Sequence, residues 1–155
     1  MELVAEKLKN FILQDVNKVL NGLSTQKVPL PALTEKTVVV GVVDLSRFQT
    51  KSVCSILPEE QDIDDGYING IGVQSRFTVT LLFQKSDYET EVKQMFRFTA
   101  AFRDAWKENP CFNDTIREST IENIKYYPDA GNVPFQMTAV EITFVISTDE
   151  SADFD

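Results

Sequence analysis

The hydrophobic periodicity of this sequence changes abruptly near its middle, and this change constrains the fold more than any other feature. From Gln74 to Gln84 apolar and polar residues alternate, which predicts a strand with the apolar row Phe77, Val79, Leu81 and Phe83. Ser86 to Glu89 then matches a capping box, which starts a helix. One face of that helix carries Tyr88, Val92, Met95, Phe96, Thr99, Phe102 and Trp106. A half-buried strand therefore runs directly into an amphipathic helix.

The N-terminal part of the chain supplies a second helix and two more strands. Apolar residues from Leu3 to Leu20 recur at helical spacing. The β-branched run Thr37–Leu45 predicts a strand, and a short polar connection joins it to another strand at Ser52–Leu57, as in a hairpin. Pro58 ends that second strand, so Glu59–Gly72 is expected to form a long acidic loop.

Two strands complete the chain. Thr120–Tyr127 has Ile124 and Tyr126 in phase, while Ile121 is out of phase and indicates a bulge. The inward row of the last strand is Thr138, Val140, Ile142, Phe144 and Ile146. The order α-β-β-β-α-β-β predicts an α+β fold, in which two amphipathic helices pack on one mixed or antiparallel sheet of about five strands. Residues 1–147 are expected to form a single domain, followed by an acidic tail at 148–155.

The net charge of −9 belongs to two short segments and not to the whole surface. Five acids lie in Glu59–Asp65 and four in Asp149–Asp155, and neither segment contains Lys or Arg. The other 15 acids balance the 15 basic residues, so the rest of the chain is neutral. Because binding to DNA or RNA requires a basic face, no specific nucleic-acid binding is expected.

The residue types needed for catalysis or tight metal binding are scarce. There is no histidine, and Cys54 and Cys111 do not form a C-x-x-C motif. Counting back from Gly66 places Gln61 and Ile63 where a calcium loop needs acids, so only adventitious cation binding by the acidic loop stays open. We therefore expect no catalytic residue, no metal site, no cofactor and no enzyme activity. No apolar stretch approaches the ~20 residues of a membrane span, so no membrane contact is expected.

The predicted fold leaves surface for neighbours. Thr37–Leu45 is apolar on both phases, and the sheet side away from the helices is rich in threonine. The residues of this predicted subunit interface are Val39, Val43, Thr78, Thr80, Thr143 and Val145. The alternative is that the connection Ser24–Glu35 covers this side within the chain. The loop predicted to contact partners contains Glu59, Glu60, Asp62, Asp64, Asp65 and Tyr67.

The order and length of these elements resemble the tail terminator, or tail-completion, proteins of tailed bacteriophages. The resemblance spans about residues 3–147, including Phe77 to Trp106 and the return from Thr120 to Ile146 around a Tyr-Tyr-Pro turn. It implies a structural virion protein, assembled in the host cytoplasm, whose hexameric ring caps the tail tube. Its partners would be further copies, the tail tube protein and the head-neck connector proteins, and DNA would pass through the ring.

Two other functions stay open. The chain is also compatible with another tail or neck assembly subunit of similar fold. A different class is a small-molecule-binding regulatory domain, with a pocket between the aromatic face of the second helix and the sheet.

Overall fold

A computed structural model describes residues 1–41, 53–67, 70–83, 88–127 and 138–149. Its elements are α1 (Glu2–Phe11), a π-helical segment (Ile12–Val16), α2 (Asn17–Leu23), β1 (Val38–Val40), β2 (Val53–Tyr67), β3 (Gly70–Phe83), α3 (Tyr88–Glu108), β4 (Glu118–Tyr127) and β5 (Thr138–Asp149). The backbone stays helical from α1 through the π-helical segment into α2, so these three form one N-terminal helix.

The five strands form one mixed sheet in the order β1-β2-β3-β5-β4. β1 is parallel to β2, and the other neighbours are antiparallel. The predicted α+β class, with two helices on one five-stranded sheet, is confirmed. β5 continues to Asp149, two residues into the predicted tail, because Thr148 and Asp149 pair with Val73 and Gly72.

One face of the sheet packs against both helices and forms the core. The alternating row of β3 is buried there, as are Val140, Ile142, Phe144 and Ile146 of β5. Phe77, Val79, Ile142 and Phe144 are fully inaccessible. The rings of Phe83 and Phe98 lie 5.0 Å apart in an edge-to-face arrangement. Phe144 contacts both helices, because its ring lies 6.3 Å from those of Phe11 and Phe102. Aromatic side chains therefore fill the space between α3 and the sheet.

The π-helical segment follows from an unusual spacing in the N-terminal helix. Apolar residues recur every four positions at Val4, Leu8, Ile12, Val16 and Leu20, and all are buried. In an α-helix of 3.6 residues per turn, each step of four positions rotates the side chain by about 40°, so such a row drifts off the core. A wider π turn reduces this drift. Ile12, Val16 and Leu20 consequently all face the core.

The first two strands depart from the predicted hairpin. β1 and β2 are parallel, with Val38 opposite Cys54 and Val40 opposite Ile56. Because parallel strands cannot form a hairpin, the predicted hairpin is wrong. The predicted polar connection Ser46–Lys51 lies outside the described residues. Of the predicted strand Thr37–Leu45, residues 38–40 are β1, and residues 42–45 lie outside the described chain.

Pro58 does not end the second strand, and the predicted acidic loop is wrong. β2 continues to Tyr67 and pairs with β3 as far as Gly70. The Cys54 N–H donates to the Thr37 carbonyl, and the Ile56 carbonyl accepts from the Gly41 N–H. Every second residue of β2, in phase with Cys54 and Ile56, therefore points its backbone N–H and carbonyl towards β1. Pro58 follows in the same phase. Its missing N–H therefore costs no hydrogen bond to β3.

The bulge predicted at Ile121 is confirmed. The pairing of β4 with β5 shifts between Ile121 and Asn123, so Glu122 is the extra residue. This shift places Ile121 opposite Phe144 and Ile124 opposite Ile142. Both isoleucines therefore face the core, although their spacing is odd.

Candidate interaction surface

Five of the six residues predicted to form a subunit interface lie on one face of the sheet. We call this the far face, because it is turned away from the helices. Thr78 lies opposite Thr143, and Thr80 lies opposite Ser55, which in turn lies opposite Val39. Val145 lies opposite Arg76 in the same phase. The sixth predicted residue, Val43, is outside the described residues.

The far face is neither an apolar core nor an ordinary charged surface. Val39, Thr80, Thr143 and Val145 are half-buried, and Thr78 is only 8% exposed. Small hydroxyl and β-branched side chains therefore line the centre of four strands. A neighbouring backbone can approach Thr78, Thr80 and Thr143 closely, since their side chains are short.

The connection Ser24–Glu35 does not cover the far face. Its apolar residues Val28, Leu30 and Leu33 are buried in the helix-side core. Gln94 on α3 donates to the Pro29 carbonyl at 2.7 Å, and the side-chain amide of Asn17 bonds both the N–H and the carbonyl of Leu33. These contacts place the connection with the helices. The alternative of an intramolecular cover by this connection is therefore wrong.

The acidic residues predicted to contact partners lie on a strand and not on a loop. We call Glu59–Tyr67 the acidic edge, because β1 pairs with β2 only as far as Ile56. Glu60 and Asp62 lie opposite Arg76 and Gln74 on the far face, whereas Ile63 belongs to the opposite row and is 68% exposed. Glu59–Tyr67 therefore pairs with β3 beyond the point at which the pairing of β2 with β1 ends.

A charged cluster connects three strands across the far face. Arg76 on β3 bonds to Glu122 in the β4 bulge and lies 3.9 Å from Glu60 on β2. The hydrogen bond to Glu122, followed by the charges of Glu122, Glu60 and Glu59, raises the pKa of Arg76. Thr78 donates a hydrogen bond to Glu59. One guanidinium group thus interacts with three carboxylates, so this end of the far face carries a net negative charge.

The aromatic surface of α3 was only partly predicted from the sequence. Phe96, predicted to face the core, is 55% exposed, while Phe98 is fully buried. The Phe96 ring packs edge-to-face on Tyr126 of β4 at 5.8 Å, and the Tyr126 hydroxyl lies 3.0 Å from the Thr99 hydroxyl. The missed signal is the small-residue pair Ala101 and Ala105, which are buried and let that side of α3 pack closely in the core.

Metal ligands and reactive thiols are the chemical groups that can be located among the described residues. Those residues contain no group of three metal-binding side chains, and burial raises the pKa of the Cys54 thiol, which disfavours its reactive thiolate. Two shallow depressions of about 170 and 240 Å³ adjoin the N-terminal helix, below the ~300 Å³ at which ligand pockets usually begin. Neither lies between α3 and the sheet, where a small-molecule pocket was considered.

Neither helix hydrophobicity nor sequence similarity identifies a function. Among the residues described, no helix is long and apolar enough to cross a membrane. No protein-family model and no curated protein matches this chain. The surfaces that can indicate a function are the two sheet faces, the acidic edge and the exposed surface of α3.

Proposed function

We propose that this protein is a non-enzymatic structural subunit that assembles into a ring, in the manner of a tail terminator of tailed bacteriophages. Its ring caps the tail tube and joins it to the head-neck connector, and it is assembled in the host cytoplasm and resides in the virion tail. The observation that carries this proposal is the far face, on which Val39, Thr78, Thr80, Thr143 and Val145 come together.

The far face supports self-assembly through its chemistry. Half-buried threonine and valine side chains gain from further burial, since each carries apolar surface but no charge. A closed ring needs two different complementary surfaces on every subunit, because each copy contacts one neighbour on each side. The far face supplies one surface of this kind.

The charge distribution supports a role beside DNA without binding to it. The chain carries a net charge of −9, and Glu59, Glu60 and Glu122 outnumber Arg76 on the far face. Phosphates are repelled by such a surface, and no counterion release can drive binding. A conduit for DNA requires this property, because DNA that adheres to the ring cannot pass through it.

The first test measures the mass of the assembly. Native mass spectrometry or light scattering of the wild-type protein is expected to give a discrete ring of six copies of the 17.6 kDa chain. Incubation with purified, uncapped tail tubes is then expected to place that ring at one tube end in electron micrographs. A protein that stays monomeric at high concentration contradicts the proposal, and a ring that ignores tube ends indicates another assembly role.

The second test places large side chains on the far face. Val39→Arg combined with Thr143→Arg is expected to abolish the ring while leaving a folded monomer, because long charged side chains on a half-buried surface block close approach. Gln26→Arg is the control, since Gln26 is exposed in the connection on the helix side. Circular dichroism and thermal unfolding verify folding. Ring formation by the double variant would remove the far face from the interface.

A further inference from the structure

The exposed side of α3 contains a regular row of residues that the core does not use. Positions 89, 93, 96, 100, 103 and 107 follow a 4-3-4-3-4 spacing, which places them on one side of the helix. We call this row the α3 seam, and its residues are Glu89, Lys93, Phe96, Ala100, Arg103 and Lys107. Ala100 is half-buried and the other five are exposed.

Phe96 gives the α3 seam an apolar anchor. Its ring is held on Tyr126, whose hydroxyl is fixed beside that of Thr99. Tyr126 is itself 42% exposed, so two large aromatic rings present a contiguous surface to solvent. Rigid, partly exposed aromatic pairs of this kind are typical anchors of protein interfaces, because little side-chain entropy is lost when they are covered.

The α3 seam is also positively charged. Lys93 pairs with Glu89 at 2.7 Å, which neutralises both. Arg103 and Lys107 form no ion pair with any described residue. Asp104 and Glu108 lie one position further round the helix. The seam therefore combines an aromatic anchor with two cations that form no ion pair, about two and three turns further along α3.

The chain itself carries the complementary surface. The acidic edge holds five carboxylates without a basic residue, and its Ile63 is an exposed apolar side chain. Within one chain the two surfaces lie apart, because α3 packs over β4 and β5, whereas the acidic edge lies on β2 beyond β3. Contact between them consequently requires two copies.

We propose that the acidic edge of one copy docks on the α3 seam of the next. This inference rests on the proposed self-assembly. It identifies the α3 seam as the surface that receives the acidic edge, whose Glu60 and Asp62 lie at one end of the far face. Pairing of the acidic edge with the exposed edge of β4 is disfavoured, since Glu118 and Glu122 on β4 would oppose its carboxylates. Because the two surfaces differ, the contact repeats from copy to copy, as the ring of the proposed function requires.

Charge reversal of each surface tests this contact. Arg103→Glu with Lys107→Glu reverses the α3 seam, and Asp62→Lys with Asp64→Lys reverses the acidic edge. Each double variant alone is expected to lose the ring at a concentration where the wild type is fully assembled. An equimolar mixture of the two is expected to regain it, because the reversed edge then meets the reversed seam. Lys27→Glu with Lys36→Glu, at two exposed positions elsewhere, is the matched control and keeps the ring.

The outcomes separate this contact from the proposed function. If the wild type assembles and the reversed-seam variant still assembles, the seam contact is overturned while self-assembly stands. If both reversed variants fail but their mixture also fails, the two surfaces do not meet each other. If the wild type is monomeric, both proposals fail. Phe96→Ser is expected to weaken assembly without changing the salt dependence that the charge pairs confer.

Discussion

The two faces of the sheet are formed by the same strands but differ in what covers them. On the helix side, Phe77 and Phe144 lie opposite each other and are fully inaccessible. One residue away on each strand, Thr78 and Thr143 lie opposite each other on the far face. Helices of the same chain cover the first pair, whereas the second pair presents its hydroxyl and methyl groups on the side away from the helices. Residues that stabilise the fold therefore alternate, along the same strands, with residues proposed to contact partners.

The largest expected effect contrasts neighbouring residues on β5. Phe144→Ala removes a ring that contacts both helices, so the free energy of unfolding should fall by about 3–5 kcal/mol. Thr143→Ala, at the adjacent position on the far face, should change it by about 0.5 kcal/mol or less. Urea unfolding of the monomeric form measures both. Equal losses would show that the far face also belongs to the core.

A smaller effect is expected from the polar contacts of the helix side. The Trp106 indole N–H donates to the carbonyl and hydroxyl oxygens of Ser119, both at 3.1 Å. Trp106→Phe leaves these oxygens without that donor, so unfolding should become easier by about 1–2 kcal/mol. Thr80→Val, on the far face, retains the shape of a half-buried side chain and should be nearly neutral. A large loss for Thr80→Val would contradict the contrast between the faces.

The smallest effect concerns the charged cluster of the far face. Arg76→Gln should slightly destabilise the fold at low salt, because Glu59, Glu60 and Glu122 lose their shared cation, and added NaCl should remove the difference. Because the pKa of Arg76 is raised, the stability that its charge contributes is complete at any pH below the ordinary arginine pKa. That stability is lost only as the pH rises through the raised pKa. Arg76 should therefore add no pH dependence near neutrality. A loss of stability that does not depend on salt concentration would indicate that Arg76 stabilises the fold by packing instead.

The sequence predicted the parts of the fold that depend on periodicity within one segment. The rows of β3 and β5, the span of α3 and the bulge at Ile121 all follow from local spacing, and the structure confirms them. The common face of Thr78, Thr80 and Thr143 was predictable for the same reason. Alternation fixes the side of a strand on which a residue lies, whatever its neighbours are.

The errors concern properties that depend on other segments. The sequence does not reveal which way a peptide group points relative to a neighbouring strand, and this direction is what allows Pro58 inside β2. It does not reveal the direction of pairing, so β1 was expected antiparallel to β2. The exposure of Phe96 depends on the rotation of α3, which Ala101 and Ala105 set by close packing.

The extra residue in β4 also has a consequence for evolution. Glu122 accounts for the shift in pairing, and its loss would leave the strand one residue shorter between Glu118 and Tyr127. Ser119 and Ile121 would then exchange sides with Glu118 and Thr120, which would bury a carboxylate and expose an isoleucine. During evolution, β4 can therefore accept many side-chain substitutions more easily than an insertion or a deletion. An ungapped ten-residue block is accordingly a better marker of distant kinship than any single amino acid within it.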